Sequence, residues 1–89
     1  MSEQEETLLE FPCQFAIKAM GKSSSDFDSI VVAIVLEHVD DIKEGAVKSR
    51  LSKGGKFTSI TVTIEATSKK QLDAIYQGLT DCPEVVMSL

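Results

Sequence analysis

The chain has 89 residues, of which 43% are hydrophobic and 26% charged, and its net charge is −5. This length supports one domain with a single core, and the composition is that of a globular protein rather than a disordered one. The longest apolar run, residues 30–36, is too short to cross a bilayer, and the acidic first residues do not resemble a secretory signal. We therefore expect a cytoplasmic protein, with residues 1–7 as a flexible acidic tail and residues 8–89 as one domain.

The basic residues are concentrated in the middle of the chain. Residues 43–70 hold seven of the nine Lys and Arg residues against two acids, whereas residues 1–42 hold nine acids against two lysines. Such segregation can steer an anionic partner towards the basic part. Lysines on an exposed strand also prevent strand edges from aggregating, which is the simpler interpretation.

The first predicted strand covers residues 13–20, in which Phe15, Ile17 and Ala19 alternate with other residues, as a strand with one buried face requires. We expect Gly21 to end this strand, because glycine tolerates the positive φ of a sharp turn.

A helix is predicted next, over about residues 25–39, with Ser25 and Asp28 as a loose capping box. Residues 30–36 are rich in β-branched side chains and would also suit a buried strand. The length of the segment and its cap favour the helix. One stripe of that helix collects Phe27, Ile30, Val31, Ile34, Val35 and His38.

The most regular pattern is a hairpin around Gly54 and Gly55, two glycines that suit a tight turn. A weaker strand between residues 43 and 53 places Val47, Ser49 and Leu51 on one side. The strand after the turn alternates strictly, so that one side collects Ile60, Val62, Ile64 and Ala66.

A second helix and a last strand complete the chain. Ser68 and Gln71 form a capping box, and the helical spacing that follows is filled by Leu72, Ile75, Tyr76 and Leu79. Pro83 prevents the helix from continuing, and residues 85–89 alternate as a strand.

The order β-α-β-β-α-β predicts an α+β, ferredoxin-like sandwich, in which a four-stranded antiparallel sheet of strand order 4-1-3-2 carries both helices on one face. The helix-covered face is predicted to hold Phe15, Ile17, Val47, Leu51, Ile60, Val62, Ile64, Val85 and Met87. The open face is predicted to show Lys18, Lys48, Arg50, Thr61 and Thr63. Cys13 and Cys82 then fall at opposite ends of neighbouring strands, too far apart for a disulfide.

Several segments resemble the YbeD-like family of small bacterial proteins, a group of unknown function. They are LLEFPCQFAIKAMG at residues 8–21, the turn at residues 52–54 with SITVTI, QLDAIYQGL at residues 71–79 and the final VVMSL. The resemblance implies a ferredoxin-like fold similar to the ACT domains that bind amino acids in regulatory proteins. It implies no reaction.

The residues themselves indicate no enzyme: we predict no catalytic residue, no metal ligand set and no cofactor. His38 is the only histidine and falls on the helix stripe, where a packing role is the simpler interpretation. Acylphosphatases share the topology, but they need an arginine in the loop after the first strand and, in addition, an asparagine. This chain contains no asparagine, and residues 21–25 contain no arginine.

The resemblance to ACT domains, joined to the loop after the first strand, favours a regulatory module that binds a small anionic metabolite. The predicted ligand site is Gly21, Lys22, Ser23, Ser24 and Ser25, which combine small side chains with the free N–H groups of a helix start. The simpler interpretation is that these residues only turn the chain and cap the helix.

A protein-interaction module is the alternative. It would bind an unknown protein through the basic sheet edge and open face, with Lys18, Lys48, Arg50, Lys53 and Lys56 as the predicted contacts. RNA binding is a weaker alternative, because RNA-binding domains of this topology stack bases on two or three aromatic residues and this face offers at most Phe57. A homodimer formed through a strand edge stays open.

Overall fold

A computed structural model describes residues 10–23 and 26–89. Its elements in chain order are β1 (Cys13–Lys22), α1 (Phe27–Leu36), β2 (Val47–Leu51), β3 (Phe57–Ala66), α2 (Lys69–Thr80) and β4 (Val85–Ser88). The strands form one antiparallel sheet in the order β2-β3-β1-β4. This confirms the predicted ferredoxin-like arrangement. The tail predicted at residues 1–7 lies outside the described residues.

The core lies between one face of the sheet and the two helices. In the register of β1 with β3, Ile17 lies opposite Val62 and Ala19 opposite Ile60, and all four side chains are fully buried. The helices add to the same cluster the buried side chains Phe27, Val31, Val35, Leu72, Ile75 and Leu79. The apolar side of β3 therefore faces the helices, as the alternation of its residues predicts.

The β-branched run at residues 30–36 is helical, as predicted, but α1 is shorter than expected. It spans Phe27–Leu36 rather than residues 25–39, because after Leu36 the helix tightens: the N–H groups of Glu37 and His38 donate to carbonyls three residues back. Of the predicted cap, Ser25 lies outside the described residues, whereas Asp28 uses its carboxylate to accept a hydrogen bond of 2.8 Å from the N–H of Ser29.

The start of α2 confirms Ser68 as its N-cap, whereas the reciprocal bond of Gln71 goes to the N–H of Thr67 rather than to that of Ser68. The hydroxyl of Ser68 accepts a hydrogen bond of 3.0 Å from the N–H of Gln71. The side chain of Gln71 reaches back, accepting from the N–H of Thr67 at 2.8 Å and donating to the carbonyl of His38 at 2.9 Å. One glutamine thus joins the start of α2 to the segment that follows α1.

The hairpin turn is also as predicted. Gly54 and Gly55 have φ of +89° and +75°, the left-handed region in which glycine avoids steric strain. The hydroxyl of Ser52 accepts a hydrogen bond of 3.0 Å from the N–H of Phe57, which closes the turn.

The prediction for Gly21 was wrong. β1 continues through Gly21 to Lys22, and the glycines with positive φ among the described residues are Gly45, Gly54 and Gly55. Gly21 is needed for space instead, since a β-carbon there would collide with the ring of Phe27 and the carbonyl oxygen of Glu84.

Two residues predicted for the core are exposed. Leu51, at the end of the edge strand β2, keeps 65% of its surface in water. Met87 is 50% exposed because β4 contains a bulge: Gly21 lies opposite Val85, whereas Met20 lies opposite Met87. The extra residue shifts the alternation, so that Met87 shares the open face with Met20.

The two cysteines are free thiols near opposite ends of the sheet. Cys13 lies opposite Ala66, whereas Cys82 lies just before Val85, the partner of Gly21 at the other end of β1. Among the described residues, neither helix combines the length and the apolar character that a membrane span requires.

Candidate functional site

In the described part of the predicted ligand loop, Ser23 forms hydrogen bonds that stabilise the fold. The hydroxyl groups of Ser23 and Thr58 share a hydrogen bond of 2.8 Å, and the N–H of Ser23 donates to the carbonyl of Lys56 at 2.9 Å. Ser23 therefore ties the end of β1 to the start of β3. Ser24 and Ser25 lie outside the described residues.

The face of the sheet away from the helices is basic. We define the basic open face by four exposed cations, Lys18, Lys22, Lys48 and Arg50, together with the residues between them. Lys18 and Lys48 flank Thr61 in one row across three strands. Since neighbouring strands are about 4.8 Å apart, the backbones of the two lysines are about 10 Å apart.

The same face carries apolar side chains beside these cations. The next row crosses all four strands and consists of Arg50, Ser59, Met20 and Met87. Met20 is half-buried and Met87 is 50% exposed. Methionine is flexible and polarisable, and it adapts to partner surfaces of varied shape.

Two further apolar side chains extend this part of the face. Phe57 is half-buried and lies opposite Lys22. Leu89 is 69% exposed and lies beside Lys18, with which it exchanges two backbone hydrogen bonds of 2.8 and 3.1 Å.

The charge of the basic open face is not neutralised within the described part of the chain. The described residues do contain an ion pair, but it joins Lys69 to Asp73 at 3.1 Å on the outside of α2. The acid on the open face of the described strands is Glu65, in the row of Gln14 at the far end of the sheet. A protein of net charge −5 thus presents a locally positive surface.

Of the predicted partner contacts, three lie on the basic open face and two lie beside it. Lys53 and Lys56 are exposed in the hairpin turn between β2 and β3, at the end of the sheet where Lys22 also lies. Sequence reasoning placed Lys22 in the ligand loop instead. Continuing the alternation of β1 past Gly21 would have found it, whereas the position of Met87 depends on a bulge that the sequence does not signal.

A cleft of about 590 Å³ lies at the other end of the sheet, away from the predicted ligand loop. Its lining includes His38, Lys43, Thr63 and Gln71 together with the carboxylates Asp40, Asp41, Glu44 and Glu65. Within the described residues, no three His, Cys, Asp or Glu side chains are grouped closely enough to hold a metal ion. Sequence reasoning did not predict this cleft, because the segments that form it come together only in the fold.

Tyr76 links α2 to the end of the sheet. Its hydroxyl donates a hydrogen bond of 2.7 Å to the carbonyl of Leu89, next to the basic open face. Burial raises the pKa of this hydroxyl above its ordinary value of 10.0, because the ionised form would lose hydration.

Comparison with known proteins finds relatives that match the chain along its length. The model of a family described as "Protein of unknown function (DUF493)" matches residues 6–89. A UPF0250 protein of Paraburkholderia phytofirmans is 45% identical over 89 residues, covering 100% of both chains. A UPF0250 protein of Nitrosomonas europaea is 46% identical over 85 residues, covering 96% of this chain and 98% of its own.

A solved structure supports the fold. The solution structure of protein HP0495 from H. pylori superimposes with a TM-score of 0.71, covering 91% of this chain and 85% of the other. The two sequences are 20% identical, so this likeness concerns the fold alone.

Proposed function

Because this chain belongs to the DUF493 family of small bacterial proteins of unknown function, the group whose YbeD-like members it resembles, we propose its function from the surface that it presents. We propose a non-enzymatic interaction module that binds an acidic protein partner through the basic open face. The observation that carries the proposal is the combination, on the sheet face opposite the two helices, of exposed cations with exposed methionine and leucine side chains.

Each half of that combination restricts the partner. The cations at Lys18, Lys22, Lys48 and Arg50 favour an acidic surface and increase its association rate. Cations alone would be explained by solubility and by protection of the sheet edge. Met87 and Leu89, however, expose apolar surface at the same place, and a protein partner can cover apolar and charged groups together.

RNA is less well matched by this face. Domains of this topology that bind RNA stack bases on two or three aromatic side chains of the open sheet. Phe57 is the aromatic residue on the open face of the described strands, and it lies at the end near the hairpin.

The test compares capture of partners from the producing cell by the intact chain and by two charge-reversed variants. Lys18→Glu with Lys48→Glu reverses the row around Thr61, whereas Lys69→Glu with Lys70→Glu changes the net charge equally on α2. We expect the first pair to abolish capture of the acidic partner and the second pair to retain it. A photo-cross-linking residue at position 61 should react with that partner.

Equal capture by both variants would overturn the proposal, since binding would then not depend on whether the changed charges lie on the basic open face. Capture of RNA instead, with an affinity that falls steeply with salt and depends on Lys18 and Lys48, would identify the face as a nucleic-acid surface.

A regulatory role through a small ligand is the second candidate, and the cleft of about 590 Å³ favours it. A ligand of the folded state raises the free energy of unfolding by mass action, by about 2.7 kcal/mol at a hundred times its dissociation constant. Melting should therefore be measured with amines and amino acids, which suit the carboxylate-lined cleft, and with organic acids, which suit the predicted loop. Amide shifts at Thr63 and Gln71 would place it in the cleft, and shifts at Gly21 and Ser23 would place it at the predicted loop.

A further inference from the structure

Among the described residues, no strand pairs with the outer edge of β2, which carries backbone N–H and C=O groups. The N–H of Ser52 donates to the carbonyl of Phe57 at 2.8 Å, and the N–H of Thr63 donates to the carbonyl of Ala46 at 3.0 Å. In an antiparallel pair, successive residues direct these groups alternately towards the neighbouring strand and away from it. The backbone N–H and C=O groups of Lys48 and Arg50 are therefore directed towards β3.

The remaining residues of β2 direct their backbone groups outwards. Val47, Ser49 and Leu51 alternate with the two that bond to β3, and β2 ends the strand order of the described sheet. Their N–H and C=O groups thus form a row that a further strand could use. The strand contains no proline, and its register with β3 runs without a bulge.

The two faces of this edge differ in chemistry. On the helix side are half-buried Val47, exposed Ser49 and Leu51, of which Leu51 is 65% exposed. On the open side are the exposed cations Lys48 and Arg50. A strand added here would lie with its own side chains directly opposite these residues, about 5 Å away.

Charge disfavours a second copy of this chain as that strand. In a two-fold arrangement centred on Ser49, Lys48 of each copy would lie opposite Arg50 of the other. Like charges that face each other across two strands are destabilising. The same two cations favour a strand that places carboxylates at those positions.

We propose that β2 takes up an extended segment of the acidic partner as a fifth strand of the sheet. Over five residues the segment would read apolar, acidic, polar, acidic, apolar. The acidic residues would face Lys48 and Arg50, and the apolar residues would face Val47 and Leu51. This inference rests on the proposed function and specifies how the partner binds.

Three synthetic peptides test the inference with the intact, isotope-labelled protein. The first carries Leu-Glu-Thr-Glu-Val between short threonine flanks. The second carries Glu-Leu-Thr-Val-Glu, which has the same composition but places the acids opposite Val47 and Leu51. The third is the first peptide with the backbone nitrogen of its central threonine methylated, which removes the donor that would bond to Ser49.

We expect the first peptide to bind at least about tenfold more tightly than either of the others, since each of them loses paired charges or a backbone hydrogen bond. Amide exchange at Val47, Ser49 and Leu51 should slow when it binds, whereas the N–H groups of Lys48 and Arg50 are already bonded to β3. In the protein, Ser49→Pro should weaken binding similarly, because it removes an N–H that points outwards and leaves the hydrogen bonds between β2 and β3 in place. Ser49→Ala, which keeps this N–H, serves as its control.

The outcomes separate this inference from the proposed function. Equal binding of the three peptides, or unchanged exchange at the outward amides, would overturn the fifth strand. The proposed function would still stand if Lys18→Glu with Lys48→Glu abolished capture of the cellular partner. Conversely, slowed exchange with the first peptide would support the strand even where capture did not depend on Lys18.

Discussion

The two faces of the sheet are built by the same strands and differ in burial and in charge. At alternate positions of β1 and β3, Ile17 and Ile60 are fully buried under the helices, whereas Lys18 and Thr61 lie on the side without helices. One set of positions therefore holds the fold together and the other remains free for contact. Substitutions one residue apart should separate stability from binding.

The boundary between the faces is set by local irregularity and by the reach of the helices. The bulge in β4 moves Met87 to the open face, and the end position of Leu51 on β2 leaves it exposed despite its helix-side orientation. Both residues belong to the surfaces that we propose for binding. The apolar residues of the proposed binding surfaces thus lie where the regular alternation of buried apolar and exposed polar side chains is interrupted.

The largest effect is expected from comparing Ile60→Ala with Thr61→Ala. Ile60 is fully buried, so its truncation removes core contacts and leaves a cavity, at a cost of about 2–5 kcal/mol. Thr61 lies on the open face, where substitution costs less than about 1 kcal/mol. Urea unfolding measures both values, and similar losses would show that the open face is also part of the structural core.

Gly21→Ala tests how tightly the covered face is packed at its end. The added β-carbon would meet the ring of Phe27 and the carbonyl of Glu84, and we expect a loss of about 1–3 kcal/mol in the free energy of unfolding. Phe27→Leu should be less harmful in the Gly21→Ala background than alone, because the smaller side chain makes room. Simple additivity of the two changes would contradict this packing.

The architecture could be predicted from the sequence because it depends on short-range patterns. The alternation around Ile60 and Val62, the glycines of the hairpin and the cap formed by Ser68 each act within a few residues. The role of Gly21 could not be predicted in the same way. The groups that exclude a side chain there belong to α1 and to the segment before β4, and they meet Gly21 only in the folded chain.

The candidate site was predictable to the same extent. The two-residue alternation of the strands alone predicts that the open face holds Lys18, Lys48 and Arg50. The register confirms their side of the sheet. The cleft was missed because it is formed by segments after α1, on β3 and at the start of α2. No local pattern shows such a meeting of distant segments.

Ser68→Ala tests the helix that covers the face, at a point away from the core. It removes the acceptor for the N–H of Gln71, and we expect a loss of about 1 kcal/mol in the free energy of unfolding. Ser68→Asp keeps an acceptor and serves as the control. A loss as large with aspartate as with alanine would mean that the cap bond does not stabilise α2.

Tyr76→Phe, with the smallest expected effect, tests a link between the two sides of the sheet. The hydroxyl of Tyr76, on α2, donates to Leu89 beside the basic open face, and losing this bond should cost at most about 1 kcal/mol at neutral pH. Burial raises the pKa of Tyr76, so above about pH 10 the unfolded chain ionises before the folded one does. The stabilisation is therefore complete below that pH and declines as the pH rises beyond it.

The difference in unfolding free energy between the two proteins isolates Tyr76, because all other ionisable groups are present in both. We expect this difference to decrease as the pH rises past 10, since only the parent chain releases a phenolic proton from residue 76 on unfolding. A difference that stayed constant from neutral to alkaline pH would show that the hydroxyl is equally hydrated in both states. The hydrogen bond to Leu89 would then not anchor the end of the sheet against α2.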